Sequence, residues 1–364
     1  MVEYAKYELK NVCSRLSSGK SISSKMISEE GRYPVYGGNG LRGYTDHSNF
    51  SGDCAIIGRQ GAFCGNVRYF CGEAYMTEHA VIVCANNLNN THYLAYLLST
   101  MNLGRLSGQS AQPGLSVKTL GIQEIMLPSI EYQNKVVALL SSLDEKIAVN
   151  NNINDNLAEL LQTVYQERFG DVSAATEQGM LSDICSYSRD RVAVSELNAS
   201  TYFSTENMLP GKAGATEAAS LPTIPQTTAC HKGDTLISNI RPYFKKIVYC
   251  EDRCGCSTDV LCFTPVQPKY AAYLFSTLYA DKFFAFMVAG SKGTKMPRGD
   301  KQQIMAYPVV LPSDEELDEF NKLALPILAQ LHSNKAENKR LSATRDALLP
   351  KLMSGEIDVS GIQL

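Results

Sequence analysis

Residues 136–164 read VVALLSSLDEKIAVNNNINDNLAELLQTV, and the spacing of their apolar side chains decides what the chain can fold into. Apolar or amide residues recur at alternating steps of four and three, which is the 3.5-residue period of a coiled-coil seam. The pattern therefore predicts one long helix that pairs with a second helix along this seam. The seam positions are Val136, Leu140, Leu143, Ile147, Asn150, Asn154, Leu157, Leu161 and Val164.

A second seam of the same kind runs through residues 317–348 in steps of three and four. Both seams are interrupted by two amides, because Asn334 and Asn338 lie 184 residues after Asn150 and Asn154. An asparagine buried in a seam lowers stability but fixes the register and orientation of the helices. The positions of the second seam are Leu317, Phe320, Ala324, Ile327, Leu331, Asn334, Asn338, Leu341, Arg345 and Leu348.

Matched seams with matched interruptions favour pairing of the two helices with each other. The alternative is a separate helix in each half, packed on its own globular core. Besides the asparagines, the apolar side chains Leu143, Ile147, Ile327 and Leu331 are predicted to contribute to the pairing.

Prolines predict where the second helix is interrupted. Pro326 lies inside the seam, where it removes one backbone hydrogen bond and crowds the previous turn, so a break or kink is expected there. Pro350 and Gly355 are expected to act as stop signals at the end of the helix.

The chain repeats itself, with short matching stretches that occur in the same order in both halves. Their separation drifts from 172 to 184 residues, close to half of the 364-residue length, so the repeat covers nearly the whole chain. The matched pairs are LKNVCS (9–14) and LSDICS (181–186), GDCAIIGRQ from Gly52 and GDTLISNIR from Gly233, AYLLST (95–100) and AYLFST (272–277), and IMLPS (125–129) and VVLPS (309–313).

Each half predicts a strand-rich block followed by a long helix, so the fold class is α+β with two similar mixed α/β domains. Runs such as CAIIG, VRYF, AVIVC, DTLIS, KIVYC and DVLCF predict strands, while AYLLST and AYLFST predict short helices. The predicted segments are a first domain at 1–127, a long helix in 128–170, a second domain at 171–310, and a second long helix with a C-terminal tail in 311–364.

Composition narrows the class of protein. The formal net charge of −3 argues against a basic protein that coats nucleic acid. No apolar run is long enough for a membrane helix, and the N-terminal stretch MVEYAKYELK has no apolar signal core, so a cytoplasmic location is expected. Eleven scattered cysteines fit a reducing compartment better than a disulfide framework.

The stretch YPVYGGNGLRGYTD at residues 33–46 puts four glycines and one arginine between aromatic residues. Its simplest interpretation is a turn between two strands, since glycine and asparagine accept turn geometry. Arg42 and Asn39 also have the chemistry to contact DNA, and the glycines would allow a close approach to it.

With these features, the chain resembles the specificity (S) subunit of type I restriction–modification systems over essentially its full length. The resemblance rests on YPVYGGNGLRGYTD, on GDCAIIGRQGAFCGNV and its partner GDTLISNIRPYFKK, on LPS followed by a long helix in both halves, and on the ending RDALLPKLMSGEIDV.

The resemblance implies a function without catalysis in this chain. Each strand-rich block would be a target recognition domain that reads half of a bipartite site in double-stranded DNA, and the helices would pair as an antiparallel coiled-coil spacer. Two methyltransferase (M) subunits, which bind S-adenosylmethionine, would dock on the chain. Restriction (R) subunits, which use ATP and Mg²⁺, would join the assembled complex.

An antiparallel pairing gives tandem copies an approximate two-fold axis, as in two-fold DNA readers. We place the Asn layers near this axis, with Asn150 facing Asn338 and Asn154 facing Asn334. The 29-residue seam would span about 43 Å at 1.5 Å per residue, somewhat more than one DNA turn of about 34–36 Å.

Candidate DNA contacts follow the GD strands and precede the long helices. Arginine reads guanine and glutamine reads adenine, whereas lysine usually contacts phosphate; the alternative is that these are solvated strand ends. The candidates are Asn39, Arg42, Arg59, Gln60, Gln109, Ser110, Gln112, Arg241, Tyr243, Lys245, Lys246, Ser291, Lys292, Lys295 and Arg298.

Two other classes of function remain as alternatives. One is a scaffold that binds proteins without DNA. The other is a metal-dependent hydrolase, for which Cys250, Cys254, Cys256 and Cys262 are the nearest to a cluster, although they lack paired CxxC spacing and reduced thiols are expected instead. The chain has no methyltransferase signature and no glycine-rich cofactor fingerprint, so no cofactor is expected in it.

Overall fold

The computed structural model describes residues 2–107, 114–175 and 177–362, and within them 18 strands and eight helices. The strands are β1 Ala5–Glu8, β2 Cys13–Ser18, β3 Tyr33–Gly37, β4 Gly40–Thr45, β5 Phe50–Gly58, β6 Val67–Met76, β7 Ala80–Ala85, β8 Glu124–Leu127, β9 Gln178–Met180, β10 Cys185–Tyr187, β11 Arg191–Ala193, β12 Tyr202–Phe203, β13 Gln226–Cys230, β14 Thr235–Ser238, β15 Ile247–Tyr249, β16 Cys254–Cys256, β17 Val260–Pro265 and β18 Pro308–Val310. The helices are α1 Thr91–Thr100, α2 Val117–Gly121, α3 Ile130–Phe169, α4 Leu181–Ile184, α5 Ala271–Tyr279, α6 Asp281–Ala289, α7 Lys301–Met305 and α8 Asp314–Ser354.

The predicted fold class is confirmed, because strand-rich blocks and two long helices alternate along the chain. Every run that predicted a strand lies in one, and AYLLST and AYLFST end in α1 and α5. Helices α3 and α8 have 40 and 41 residues.

The chain divides into two compact units that cut across the long helices. Unit 1 is Met1–Ala148 with Asn338–Leu364, and unit 2 is Val149–Glu337. These units differ from the four predicted segments, because each unit includes part of both long helices. In unit 1, Leu352 and Val359 are fully buried in the same core as Leu94 and Leu140, so the end of the chain completes that core.

Unit 1 is built on a six-stranded sheet of order β2-β7-β5-β6-β3-β4, with α1 packed on β5 and β6. A separate antiparallel pair, β1 and β8, brings the start of the block next to the strand that leads into α3. The buried faces of Ile57 and Val83 meet Leu94 and Leu98 of α1.

Unit 2 has two four-stranded sheets, of order β10-β17-β14-β15 and β11-β13-β16-β12, and an antiparallel pair, β9 and β18. Its main core joins α5 and α6 to the first sheet through Phe263, Tyr273 and Phe283, which are fully buried.

The folded units reproduce the repeat seen in the sequence. The order β2-β7-β5-β6 in unit 1 corresponds to β10-β17-β14-β15 in unit 2, and the pair β1–β8 corresponds to β9–β18. The units differ in what is added: unit 1 carries the hairpin β3–β4 on β6, whereas unit 2 carries the second sheet. The scaffold is therefore repeated and its attachments are not.

Within unit 2, the two long helices run antiparallel. Asn334 donates to Asn154 at 2.9 Å, and Asn150 donates to Glu337 at 2.7 Å. Further along α3, the ring of Phe169 contacts that of Phe320 with centroids 5.5 Å apart. Rising numbers on α3 meet falling numbers on α8, which is the antiparallel direction.

Within unit 1, the same direction holds. Arg345 pairs with Asp144 at 2.6 Å, and Tyr132, near the start of α3, donates to the carbonyl of Ile357 at 2.9 Å. Asp144 also accepts a hydrogen bond from the hydroxyl of Tyr96 at 2.6 Å, which ties α1 to both long helices.

The seam positions are the inward positions of both helices. All of them are buried or half-buried, including the asparagines and the apolar residues Leu143, Ile147, Ile327 and Leu331. The pairing of Asn154 with Asn334 is present in unit 2. The proposed partner of Asn150, Asn338, belongs to unit 1, and that pair stays a prediction.

The expected interruption of the second helix at Pro326 was wrong as a break, because α8 continues through it from Asp314 to Ser354. Pro326 lies on the exposed side, where water can solvate the carbonyl that lost its donor, while Ala324 and Ile327 remain buried in the seam. Pro350 is also inside the helix, which ends instead just before Gly355, where φ is +74°.

Among the described residues, none of the helices combines the length and apolar character that crossing a membrane requires.

We predict that Asn334→Leu destabilises unit 2, because it leaves the buried amide of Asn154 without this partner at a cost of about 1–3 kcal/mol. Asn154→Leu together with Asn334→Leu should recover most of the loss, since two leucines can pack in the seam and Gln330, the other partner of Asn334, is exposed to water. Thermal unfolding midpoints of the full-length variants measure both effects. Asn152→Leu, on the exposed side of α3, is the matched control; equal effects of the single and double changes would contradict the pairing.

Candidate nucleic-acid interface

The stretch YPVYGGNGLRGYTD forms the hairpin β3–β4 in unit 1, as its simplest interpretation predicted. Gly37 pairs with Gly40, so Gly38 and Asn39 are the two residues of the turn. Gly40 has a φ of +98°, which a side chain would disfavour. The turn leaves Asn39 exposed at its tip and Arg42 exposed on β4.

This turn lies against the end of β5, close enough that only glycine fits. A Cβ atom on Gly58 would lie 2.6 Å from the carbonyl oxygen of Gly38 and 2.3 Å from that of Phe63. A Cβ atom on Gly38 would lie 3.4 Å from the backbone nitrogen of Arg59. The two glycines therefore bring the hairpin tip next to Arg59 and the following Gln60.

The side chains around this junction form the first surface, which we define as Asn39, Arg42, Arg59, Gln60 and Arg68. Arg59 is half-buried and donates to the hydroxyl of Ser18 at 3.3 Å, whereas the other four side chains are exposed.

The sequence did not identify Arg68. A Cβ atom on Gly40 would lie 3.1 Å from the Arg68 guanidinium carbon, which places this cation beside the hairpin tip. The available signal was weak: Arg68 follows Val67 at the start of β6, in a strand whose outward positions are polar.

Three candidates, Gln109, Ser110 and Gln112, lie outside the described residues. The segment that follows them is described, and it is anchored to the first surface: Gly114 forms an isolated bridge with Gln60, and the Leu115 N–H donates to the carbonyl of Arg59 at 2.8 Å.

In unit 2 the candidates from two separate stretches come together. The Arg241 N–H donates to the carbonyl of Pro297 at 2.8 Å, and Ile240 forms an isolated bridge with Arg298. Lys292 and Arg298 exchange two backbone hydrogen bonds of 2.9 Å, which close the loop between them. We define the second surface by the candidates of this region: Arg241, Tyr243, Lys245, Lys246, Ser291, Lys292, Lys295 and Arg298.

Acidic neighbours partly neutralise the second surface. Lys245 contacts Asp281 at 2.9 Å, Lys292 contacts Asp300 at 2.5 Å, and Arg298 contacts Asp259 at 2.9 Å. Lys246 donates to a backbone carbonyl, that of Thr205, at 2.5 Å, and partial burial lowers its pKa. Several cations of this surface therefore already have partners in the protein.

Lys212 is a further cation of this region that the sequence did not identify. Its ammonium lies 2.8 Å from Asp281 and 4.5 Å from the ring centre of Tyr279. Hydrogen bonds from Lys212 and Lys245 hold the pKa of the Asp281 carboxyl below its usual value. Its N–H donates to the carbonyl of Lys245 at 2.9 Å, so the two lysines share one loop junction.

The cysteines named in the sequence lie in a small core of unit 2. Cys250, Cys254, Cys256 and Cys262 are free and buried, and the sulfurs of Cys250 and Cys254 are 3.5 Å apart. No group of three or more His, Cys, Asp or Glu side chains in the described part of the chain could hold a metal ion. These thiols contribute to packing with Met208 and Leu236.

Comparison with known proteins agrees with the resemblance seen in the sequence. Residues 1–159 match the family model described as Type I restriction modification DNA specificity domain. The family resemblance inferred from the sequence is confirmed by this match and by the relatives that follow.

Curated relatives include two specificity subunits of type I restriction enzymes. The EcoprrI subunit of Escherichia coli is 40% identical over 134 residues, which are 36% of this chain and 33% of that protein. The MjaIX subunit of Methanocaldococcus jannaschii is 24% identical over 300 residues, 74% of this chain and 69% of that protein. The match to the E. coli relative therefore spans only about a third of its length.

A solved structure shares the fold over nearly the whole chain. The crystal structure of the type I restriction–modification S subunit from M. genitalium superposes with a TM-score of 0.63, at 18% identity, and covers 96% of both chains.

We predict that Gly58→Ala destabilises unit 1 by about 1–3 kcal/mol, because the new Cβ collides with two backbone oxygens that belong to the hairpin and to the turn after β5. Gly114→Ala is the matched control, since no atom lies within 4 Å of its Cβ position and its φ is not positive. Thermal unfolding of both full-length variants checks this. A Gly58→Ala midpoint equal to that of the control would contradict the close approach.

Proposed function

We propose that this chain is the DNA sequence-recognition subunit of a type I restriction–modification complex, in which each unit reads one half of a bipartite target in double-stranded DNA. The matches to specificity subunits support this role, and so does the repeated scaffold with a polar, partly cationic surface in each unit.

The observation that carries the proposal is the contrast between scaffold and surface. The strand orders of the two units correspond, yet the first surface uses Asn39, Arg42 and Gln60 where the second uses Arg241, Lys245 and Arg298. Amide and guanidinium groups read different base edges in the major groove. A duplicated frame with divergent contact groups is what reading two different half-sites requires.

Catalysis belongs to partners in this proposal. Two M subunits would dock on the chain and bring S-adenosylmethionine, and R subunits, which use ATP and Mg²⁺, would join through the assembled complex. The chain itself supplies recognition and is not an enzyme.

The long helices would set the distance between the half-sites. A 40-residue helix is about 60 Å long, more than one DNA turn of about 34–36 Å. The seam asparagines would fix the register of α3 against α8, and with it the spacing that the complex accepts.

The ion pairs of the second surface have a consequence for affinity. A lysine that already contacts a carboxylate gains less from a phosphate, and the net charge of the chain is −3. We therefore expect the isolated chain to bind DNA weakly and the complex with M subunits to bind it tightly.

The proposal is tested by selecting duplexes from a random library with the full-length chain assembled with its M subunits. We predict that one motif of two short blocks with a fixed gap is enriched. Gln60→Ala should relax one block only and Arg241→Ala the other, each with a loss of about 5- to 150-fold in discrimination at the affected position. Enrichment of no motif would contradict the proposal.

Phosphate contacts are tested separately by salt dependence. Lys245→Gln together with Lys292→Gln should lower the magnitude of the slope of log K against log salt by about 1.8, since each lost phosphate contact removes about 0.9. Lys322→Gln is the control in the same unit, because this exposed lysine pairs with Glu319 on α8, away from the second surface.

The alternative is a protein-binding scaffold without DNA recognition. It predicts assembly with M subunits, no enriched motif, and the same salt slope for the lysine variants and their control.

A further inference from the structure

Each unit carries a short 3-10 turn at the same place in the repeated scaffold. In unit 1 the turn Gly61–Phe63 follows β5, and in unit 2 the turn Pro242–Phe244 follows β14. The sequences GAF and PYF share no pattern that identifies the turns as equivalent, but the backbone does.

The backbone hydrogen bonds of the two turns match at a separation of 180 residues. The Cys64 N–H donates to the carbonyl of Gly61, and the Phe244 N–H donates to that of Arg241, both at 3.0 Å. In this alignment Phe63 corresponds to Tyr243.

Both turns are also anchored to the strand-like segment that precedes the next helix. Gln60 bridges Gly114 in unit 1, and Ile240 bridges Arg298 in unit 2. The carbonyl of the residue before each bridge accepts a backbone hydrogen bond from the residue after it. The aromatic residue therefore projects from a braced turn.

Left-handed backbone residues bracket both turns at equivalent positions. They are Gly61 (φ +74°) and Gly65 (φ +86°) in unit 1, and Arg241 (φ +51°) and Lys245 (φ +50°) in unit 2. Glycine takes this conformation freely, whereas arginine and lysine are strained in it. Unit 2 keeps the turn geometry with two basic residues in strained positions, and such strain is typical of functional sites.

The aromatic side chains at these turns are unusually exposed. Phe63 is 42% exposed, Tyr243 50% and Phe244 39%. In the described ranges, five aromatic side chains count among the exposed large apolar residues, and three of the five are at these turns. An exposed ring on a braced turn is available to a partner.

The neighbours of the rings identify the class of partner. In unit 1 the turn follows Arg59 and Gln60 and lies beside the hairpin tip of the first surface. In unit 2, Tyr243 packs against Phe244 with centroids 4.8 Å apart, between Arg241 and Lys245 of the second surface. Aromatic rings flanked by cations and amides suit base stacking beside phosphate contacts, so DNA is favoured over a protein partner.

We propose that Phe63 and Tyr243 are paired wedges, one in each unit, that insert at a base step of their half-site and partly unstack it. This inference rests on the proposed function and adds a shape-dependent component to it, because steps that unstack easily would be preferred at the insertion point. Phe244 backs Tyr243 from the side.

The test uses the full-length chain assembled with its M subunits and duplexes of the selected motif that carry 2-aminopurine at successive positions. Unstacking raises the emission of this base. We expect a rise at one step in each half-site, lost at one of them in Phe63→Ala and at the other in Tyr243→Ala, with an affinity loss of about fivefold or more. Phe63→Tyr and Tyr243→Phe should retain the rise, as should Tyr7→Ala, an exposed aromatic on β1.

The outcomes separate the wedge from the proposed function. A complex that binds its motif with no emission rise overturns the wedge and leaves the recognition role intact. Folded alanine variants that keep both emission and affinity also overturn it. Alanine variants that lose M subunits on co-purification, with normal emission in the complex that remains, assign the rings to a protein interface instead. A complex with no sequence preference overturns both proposals.

Discussion

The antiparallel seam between α3 and α8 is the constraint on which both units depend. Each unit takes part of its core from each helix, so neither half of the sequence closes alone. Unit 1 is completed by Leu352 and Val359 from the end of the chain, and unit 2 begins within α3. The pairs Asp144–Arg345 and Asn154–Asn334 fix the register within their units, because a slip along the seam would leave a buried charge or amide without its partner.

This constraint explains how a duplicated chain can keep its frame while its surfaces diverge. The strands that close each block, β1 with β8 and β9 with β18, lead directly into the long helices and are the most alike between the units. The hairpin β3–β4 and the second sheet of unit 2 are attached at the opposite side of the core strand order. Changes there alter the groups presented to a partner without disturbing the seam.

The sequence predicted what repeats and what is periodic. The seam, the strands, the short helices α1 and α5 and the internal repeat follow from local patterns, and the glycine-rich stretch was recognisable as a turn. Pro326 misled because its cost depends on which side of the helix is exposed. Lys212, Arg68 and the acidic partners Asp281 and Asp259 could not be predicted, since their places result from contacts between distant stretches. The equivalence of Phe63 and Tyr243 is visible only in backbone dihedral angles and hydrogen bonds.

The central claim is that this chain chooses the DNA sequence that a methyltransferase modifies. The most direct measurement is a base-resolution map of DNA methylation in the native host, with the gene intact and deleted. The account predicts that one bipartite motif, two short blocks with a fixed gap, loses its methylation on deletion. An unchanged map in cells that still express the methyltransferase subunits would contradict the account.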